Sequence, residues 1–346
     1  MLYPKVLRTV LAFLIVAGVA ISCTAQPTKE PGLSTEEPVP IIWDDDGSID
    51  GVTALLYFLE HQAFEVKGAT ISAGIAHPRV FASKLGGFLA QVHGEGIPIA
   101  AGREQPLSGD NAFPDDWRLA SDDFWGLALA QGIEPPDQRT APELIIDLVE
   151  GSDQPVTIFV SGPLTNLAEA FRMNPSIKEN IRGVEIMGGA LEVNGNVSLA
   201  ETGTLPAEWN IYIDPLAAAE VFRSGVHIRL TPLDSTDRVQ WGESDALAWE
   251  ASDGAGGSMA AHLLRQTMTD WSSPSVLIWD LVAALNASDR GLCNWEDLHI
   301  DVAVDGGTSE GQTVVIAGEA ANAGACLDPE PPAYKDLAKA VFGRLR

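Results

Sequence analysis

The chain reads Val-Pro-Ile-Ile-Trp-Asp-Asp-Asp-Gly-Ser-Ile-Asp from Val39 to Asp50. The apolar run Pro40–Trp43 is typical of a buried strand, and a helix is predicted from about Asp50 to His61. Four carboxylates within the seven residues Asp44–Asp50 therefore lie where a strand ends and a helix begins. Open parallel sheets place their ligands at this edge, so the segment predicts both a fold and a site.

The same alternation of strand and helix patterns continues along the chain. Strands are predicted at Phe64–Ile71, Ile97–Ala101, Val156–Val160, Gly183–Met187 and Ile228–Leu230, and helices at Phe81–Val92, Ala141–Glu150, Asn166–Arg172 and Pro215–Arg223. This order predicts one large α/β domain over residues 40–346, with a mainly parallel sheet, helices on both faces and a Rossmann-like core. Ser108–Gly132 and Arg238–Ser258 fit neither pattern and are candidates for functional lids or plain surface loops.

The charge balance narrows the class of partner. Forty-eight acidic against 21 basic residues give a formal net charge of −27. Such a surface disfavours nucleic acid and anionic membranes as partners, and it leaves neutral or cationic ligands, divalent cations among them.

The N-terminus predicts export. Residues 1–23 read as a signal peptide with an apolar segment from Val10 to Ile21, although a retained anchor helix is the alternative. Ser22-Cys23 resembles the cleavage box of bacterial lipoproteins, which implies a lipid anchor on Cys23 and a periplasmic or cell-surface protein; plain secretion is the other reading. Residues 24–39 are rich in proline and polar residues, as in a flexible linker. Cys293 and Cys326 are either free or joined in a disulfide.

The acidic run has a chemical explanation. Carboxylates packed this closely repel one another and have raised pKa values unless a cation neutralises them, and oxygen ligands suit a hard cation. The alternative is an acidic helix N-terminus, where one aspartate serves as a cap.

Several blocks resemble one family in the order in which they occur. The acidic run is similar to the Asp-x-Asp-Pro-Gly-x-Asp-Asp signature of the inosine-uridine-preferring nucleoside hydrolases. Further blocks that resemble this family are Pro98–Gly102, Ser161–Ala168, Met187–Ala190 with Gly195-Asn196, Ala207–Pro215 and Trp279–Leu281.

The resemblance implies hydrolysis of the N-glycosidic bond of ribonucleosides to free base and ribose. It implies calcium held by Asp46, the backbone carbonyl of Thr165 and Asp280, with Asp46 as the base that takes a proton from the attacking water. It also implies homo-oligomers and a set of ribose-binding residues, namely Asp50, Asn196, Glu208 and Asn210. The alternative for Thr165 is a helix start, and the alternative for Glu208 and Asn210 is ordinary hydrogen bonding in a strand or turn.

The chain departs from the family pattern at functional positions. Gly51 stands where the family has a calcium-binding aspartate, and Ile75 stands where it has an asparagine. Asp45 or Asp44 is expected to supply the missing oxygen. Trp279 replaces a histidine before the late aspartate, so it is a candidate for stacking on the base, as are Trp117, Trp125 and Trp209, while His77 and Asp123 are candidates for binding or protonating the base.

Three functions follow from these residues. The first is a nucleoside hydrolase. The second is a catalytically silent nucleoside- or ribose-binding lipoprotein, suggested by Gly51 and Ile75. The third is a phosphatase of the haloacid dehalogenase type, whose strand end Asp44–Gly47 mimics. The third ranks last because it leaves Asn196–Asn210 unexplained.

Overall fold

The computed structural model describes residues 37–131, 136–199, 203–251 and 254–344. The expected signal peptide and all but the last three residues of the expected linker lie outside these ranges. Residues from Glu37 onward form one compact unit. In the described residues, no helix is both long and apolar enough to cross a membrane.

The six strands that the patterns predict are found within a few residues of their predicted bounds, among fourteen strands in the described residues. The fourteen are β1 (Val39–Asp45), β2 (Phe64–Ile71), β3 (Ile99–Ala101), β4 (Val156–Ser161), β5 (Ile181–Met187), β6 (Ser198–Leu199), β7 (Gly203–Thr204), β8 (Ile228–Thr231), β9 (Gln240–Gly242), β10 (Ser275–Leu277), β11 (Cys293–Leu298), β12 (Ile300–Val302), β13 (Thr313–Val315) and β14 (Ala323–Pro329).

The helices alternate with these strands. They are α1 (Ile49–Glu60), α2 (Pro78–Leu89), α3 (Asp115–Asp122), α4 (Ala141–Glu150), α5 (Thr165–Met173), α6 (Trp209–Ile213), α7 (Pro215–Phe222), α8 (Leu233–Thr236), α9 (Glu243–Glu250), α10 (Ala255–Asp270), α11 (Trp279–Ser288) and α12 (Pro331–Phe342). Helix α2 begins three residues before the predicted start, because Pro78 occupies its first turn, where a missing amide proton costs nothing.

The main sheet has eight strands in the order β11-β14-β8-β5-β4-β1-β2-β3. Its neighbouring strands run parallel except β11 and β14, which are antiparallel. The predicted fold class is therefore confirmed. Strands β2 and β3 lie on one side of β1, and β4 and β5 lie on the other. The strand order therefore reverses at β1, and sheets of this kind bind ligands at the carboxyl ends of the strands where the order reverses.

Each face of the sheet is covered by a hydrophobic core. Side chains of β1 alternate between them: Trp43 is buried in the core that includes α1, α10, α11 and α12, and Ile42 in the core that includes α4, α5 and α7. The acidic residues that follow continue this alternation. The carboxylates at the end of β1 therefore start out on opposite faces of the sheet.

Both stretches without a predicted pattern contain helices. Ser108–Gly132 holds α3 and a short 3-10 turn at Phe124–Gly126, and Arg238–Ser258 holds α9 and the start of α10. The C-terminal strands β11 and β14 extend the sheet, and a disulfide joins Cys293 to Cys326 across them, with a Cα–Cα distance of 5.8 Å.

Candidate active site

The acidic turn after β1 is held by its own side chains. Asp45 Oδ1 accepts hydrogen bonds from the amides of Gly47 (2.7 Å) and Ser48 (3.2 Å). The Ser48 hydroxyl accepts from the Gly51 amide (2.8 Å) and so caps α1. The same hydroxyl donates to Asp280 Oδ2 at 2.9 Å, which ties the turn to the start of α11.

Asp44 points away from this turn. Its Oδ1 accepts from Thr70 Oγ1 (2.7 Å) and Asn166 Nδ2 (2.8 Å), and its buried Oδ2 has no partner among the described residues. Burial raises the pKa of Asp44 to about 7, against the effect of the two hydrogen bonds. Asp44 is therefore fixed on the α5 side of the sheet.

Asp45 fills the space next to Gly51. Its Oδ2 accepts from Ser161 Oγ at 2.7 Å, and it lies 1.8 Å from the point where a Cβ on Gly51 would be. Asp45 and a side chain at position 51 therefore exclude each other. Of the two residues expected to make up for Gly51, Asp45 is the one that lies beside it.

Asp46 lies beyond the end of β1, against two loops. Its Oδ2 accepts from the Ile75 amide (3.1 Å), and Gly162 packs so closely that an added Cβ would be 2.7 Å from the Asp46 nitrogen. Burial raises the pKa of Asp46 to about 8, the Ile75 hydrogen bond opposes this rise, and the charges of Asp50 and Glu208 add to it.

Asp50 and Asp280 complete the acidic group. Asp50 Oδ2 accepts from the Asp280 amide at 3.4 Å, which places the first turn of α1 beside the first turn of α11. Burial raises the pKa of Asp280 well above its ordinary value, and the charges of Asp50, Asp45 and Asp46 raise it further. The structure therefore brings Asp280, at the start of α11, next to the three predicted site residues of the acidic turn, Asp45, Asp46 and Asp50.

The second half of the site is built around α6. Glu208 is the N-cap of this helix and accepts hydrogen bonds from the amides of Asn210 (2.9 Å), Ile211 (3.2 Å) and Gly189 (3.0 Å). Burial raises the pKa of Glu208 to about 7 despite these bonds. Asn210 Nδ2 donates to the Met187 carbonyl at 3.2 Å. The Glu208 carboxylate and the Asn210 side-chain amide thus make hydrogen bonds that hold α6 in place.

Asn196 and Thr165 are also engaged by the fold. Asn196 Oδ1 accepts from the Trp209 amide at 3.1 Å, which joins its loop to α6. Thr165 is the first residue of α5, and its hydroxyl donates to Asp214 Oδ2 at 2.7 Å. The Thr165 hydroxyl is thus engaged with Asp214, and the backbone carbonyl is the Thr165 oxygen that the family resemblance assigns to the cation.

The residues considered for the leaving base differ in their surroundings. Trp279 Nε1 donates to Asp237 Oδ1 at 2.8 Å, and the Trp279 ring packs against Trp271. The His77 ring bonds Asp122 at 2.7 Å. Asp123 is exposed and pairs with Lys84.

The three other tryptophans lie on different surfaces. Trp209 is stacked on Phe113, with ring centroids 4.4 Å apart, in an apolar cluster that Ile75 joins. Trp117 is 46% exposed at the edge of this cluster, and Trp125 packs against Phe81 and Phe124. Ile75 is thus part of an apolar wall where the family pattern has an amide.

Sequence reasoning missed two serines of the site. Ser48 and Ser161 hold Asp280 and Asp45 through their hydroxyl groups. Ser48 carried a signal, because a serine that directly precedes a predicted helix is a preferred N-cap. Ser161 opens the family block Ser161–Ala168, but its contact with Asp45 could not be predicted, since only the fold brings the end of β4 beside β1.

The oxygen donors of this site are of the type that binds a hard cation. Among the described residues, no three His, Cys, Asp and Glu side chains form a complete metal-binding group. Further ligands would have to come from backbone carbonyls, hydroxyls or water. The carboxylates present are buried hard donors whose charges raise one another's pKa, and no Lys, Arg or His of the described residues forms an ion pair with any of them. Such a group is stabilised by a divalent cation.

Comparison with known proteins agrees with this geometry. The model of the family described as "Inosine-uridine preferring nucleoside hydrolase" matches residues 41–336. The chain belongs to this family. A relative from Salmonella agona (strain SL483), described as a pyrimidine-specific ribonucleoside hydrolase, RihA, is 30% identical in an alignment of 315 residues that covers 86% of this chain and 96% of the relative. Membership makes the protein a nucleoside hydrolase homologue, from a family of metal-dependent hydrolases that act on N-glycosidic bonds.

Solved structures show the same fold. A plant nucleoside hydrolase, PpNRh1, superposes with a TM-score of 0.76 at 24% identity, over 88% of this chain and 99% of the other. A purine-preferring ribonucleoside hydrolase from Gardnerella vaginalis gives 0.75 at 21% identity, over 88% and 98%. At these identities the agreement concerns the architecture of the nucleoside hydrolases.

Proposed function

We propose that this nucleoside hydrolase homologue cleaves ribonucleosides to free base and ribose with a water positioned by calcium. The observation that carries the proposal is the group formed by Asp45, Asp46, Asp50 and Asp280 at the carboxyl end of β1, opposite Glu208. A buried anionic group of this kind suits a cation and a cationic transition state, and cleavage of a ribosyl bond passes through an oxocarbenium-like state.

Asp46 is proposed as the general base. When bound, calcium would lower the pKa of a coordinated water and orient it toward C1′. The Asp46 carboxylate accepts a hydrogen bond from the Ile75 amide, and Gly74 packs against it so closely that an added Cβ would lie 2.2 Å from Asp46 Oδ2. Asp46, Asp280, the Thr165 carbonyl and Asp45 are the proposed cation ligands.

Ribose recognition is proposed for Asp50, Asn196, Glu208 and Asn210. Glu208 and Asn210 are joined by a 2.9 Å hydrogen bond and are buried, so they form a rigid polar surface. Rigid polar groups of this kind bind ribose hydroxyls and reject substrates that lack them, because the groups would then stay buried without partners.

The decisive experiment measures ribose release by the domain lacking residues 1–23. The substrates are inosine, uridine, adenosine and cytidine, since the relatives' names include both a pyrimidine-specific and a purine-preferring enzyme. We expect release that stops with a chelator, returns with calcium and is lost in Asp46→Ala. No release, together with thermal stabilisation by nucleosides, would instead indicate a silent binding protein.

We also propose that the protein works outside the cytoplasm. The Cys293–Cys326 disulfide supports this, since such bonds persist in oxidising compartments. Fractionation of cells that produce the full chain or Cys23→Ala tests it: a lipid anchor predicts membrane association that the substitution abolishes. The homo-oligomer that the family resemblance implies is tested by light scattering of the purified domain.

A further inference from the structure

The loop 73–77 and helix α3 form a wall beside Asp46. The amides of Ile75 and Ala76 donate to Asp46 Oδ2 (3.1 Å) and to its backbone carbonyl (2.9 Å). The hydroxyl of Ser121 in α3 donates to the Gly47 carbonyl, so α3 is fastened to the same acidic turn. The wall is therefore attached directly to Asp46, the proposed general base, and lies beside the site proposed for the scissile bond.

One cation on this wall has unused hydrogen-bonding capacity. The Arg118 side chain in α3 donates from Nη2 to the Ala76 carbonyl at 3.4 Å, a long bond that is easily exchanged. Its Nε is buried and has no partner among the described residues. The neighbouring basic side chains each contact a carboxylate, His77 that of Asp122, Lys84 that of Asp123 and Arg79 that of Glu104. Arg118 alone of these four keeps a buried N–H group without a partner.

An unpartnered buried donor is costly, and an acceptor supplied by a bound ligand would remove this cost. The surroundings match a planar ligand, because Trp117 neighbours Arg118 in sequence and the stacked rings of Phe113 and Trp209 lie at the same end of α3. Two of the candidates for the base already have hydrogen-bond partners, Trp279 with Asp237 and His77 with Asp122.

We propose that Arg118 binds the nucleobase through a carbonyl oxygen or ring nitrogen and stabilises the negative charge that the base acquires as it departs. The proposal rests on the proposed hydrolysis. The C1′–N bond breaks and its electron pair stays on the base, while the water oxygen bonds to C1′ and its proton goes to Asp46. A guanidinium is always protonated, so Arg118 acts as a hydrogen-bond donor and the base takes its proton from solvent.

The test compares two kinds of leaving group. Arg118→Gln is assayed on uridine and inosine and on p-nitrophenyl β-D-ribofuranoside, whose nitrophenolate departs without help. We expect kcat on the nucleosides to fall on the order of 10²-fold, as when one donor to a developing anion is removed. On the nitrophenyl riboside kcat should stay within about threefold of wild type, because ribose and water are bound as before.

Two further variants serve as controls. Arg118→Lys keeps the charge but loses the planar fork, so its nucleoside activity should lie between those of wild type and Arg118→Gln. Arg79→Gln removes a neighbouring charge that is exposed and paired with Glu104, and it should leave activity on both substrates unchanged. Thermal melting of each variant reports whether it is folded.

The outcomes separate this proposal from the one on which it rests. Selective loss on the nucleosides supports Arg118 as the group that binds the leaving base. An equal loss on both substrates, or none, overturns it and leaves Arg118 as an anchor of the loop 73–77. A wild-type protein that cleaves neither substrate overturns the hydrolase itself.

Discussion

Gly51 and Asp45 form a pair in which each residue explains the other. The Asp45 carboxylate occupies the space that a side chain on Gly51 would need, and Ser161 and the amides of the turn hold it there. The missing aspartate at position 51 is therefore matched by a carboxylate in the neighbouring volume. Asp44, the other residue considered, is held by Thr70 and Asn166.

Gly51→Ala should be destabilising and should weaken calcium binding. The new Cβ would lie 1.8 Å from Asp45 Oδ2, so Asp45 has to leave its hydrogen bonds. Overpacking of this kind costs about 1–3 kcal/mol, which thermal melting and a calcium titration would detect. Gly183→Ala is the matched control, because its Cβ would be at an ordinary 3.4 Å from His227. Equal effects of both substitutions would contradict this account.

Moving the carboxylate should rescue the site. Asp45→Ala removes the carboxylate, Gly51→Asp alone creates the clash, and the double variant places one carboxylate at position 51 with room for it. We expect the double variant to bind calcium more tightly than either single variant, a coupling that a double-mutant cycle measures. Additive losses would show that Asp45 does not replace the residue at position 51.

At the scale of elements, periodicity predicted much of the sheet and its helices. Strands β1, β2 and β4 and helices α1, α4 and α5 are strongly patterned and were found within a few residues of their predicted bounds. Helix α3 was missed because its sequence is polar and it is largely exposed, so it has no apolar stripe to detect. Its place is determined by long-range contacts such as Ser121 to Gly47.

The site was only partly predictable for the same reason. Family blocks named Asp46, Asp50, Glu208 and Asp280. Ser161 lies in a family block but received no role there, and Arg118 belongs to no pattern, because the partners of both come from remote segments. Sequence also left open which of Asp44 and Asp45 lies beside Gly51. Strand alternation sends the two to opposite faces, and the partners that hold each are visible only in three dimensions.

The disulfide between β11 and β14 should stabilise the edge of the sheet. Its cysteines are separated by 33 residues in sequence, and a loop of this length corresponds to a loss of about 3–4 kcal/mol when the bond is removed. Cys293→Ala/Cys326→Ala should therefore melt several degrees below wild type, and dithiothreitol should lower the melting temperature of wild type but not of this variant. Equal melting of oxidised and reduced wild type would contradict a stabilising bond.

At the scale of the whole molecule, stability should depend jointly on pH and on calcium. In the cation-free protein the pKa values of Asp44 and Glu208 are about 7 and that of Asp46 about 8. Carboxyl groups with a raised pKa hold their protons more tightly when folded. Their contribution to stability is full below about pH 4 and is lost as the pH rises toward about 8.

In the presence of a chelator, the melting temperature should therefore fall as the pH rises from about 5 to about 8. Saturating calcium should prevent most of this fall, because it binds the ionised carboxylates. The measurement is thermal unfolding across this range with a chelator or with calcium. Asp46→Asn should show a shallower pH dependence in the chelator series. A calcium-induced rise in melting temperature that is equal at about pH 5 and about pH 8 would argue against the acidic group as the cation site.

The exchange between Gly51 and Asp45 also affects how distant relatives are recognised. A column-by-column alignment scores position 51 as a lost ligand and would rank the chain among degenerate copies. In space, a carboxylate still reaches the same volume from the preceding strand. Homologues with glycine in this column should therefore be sorted by whether an aspartate stands six residues earlier, and those without one are where loss of the reaction is to be sought.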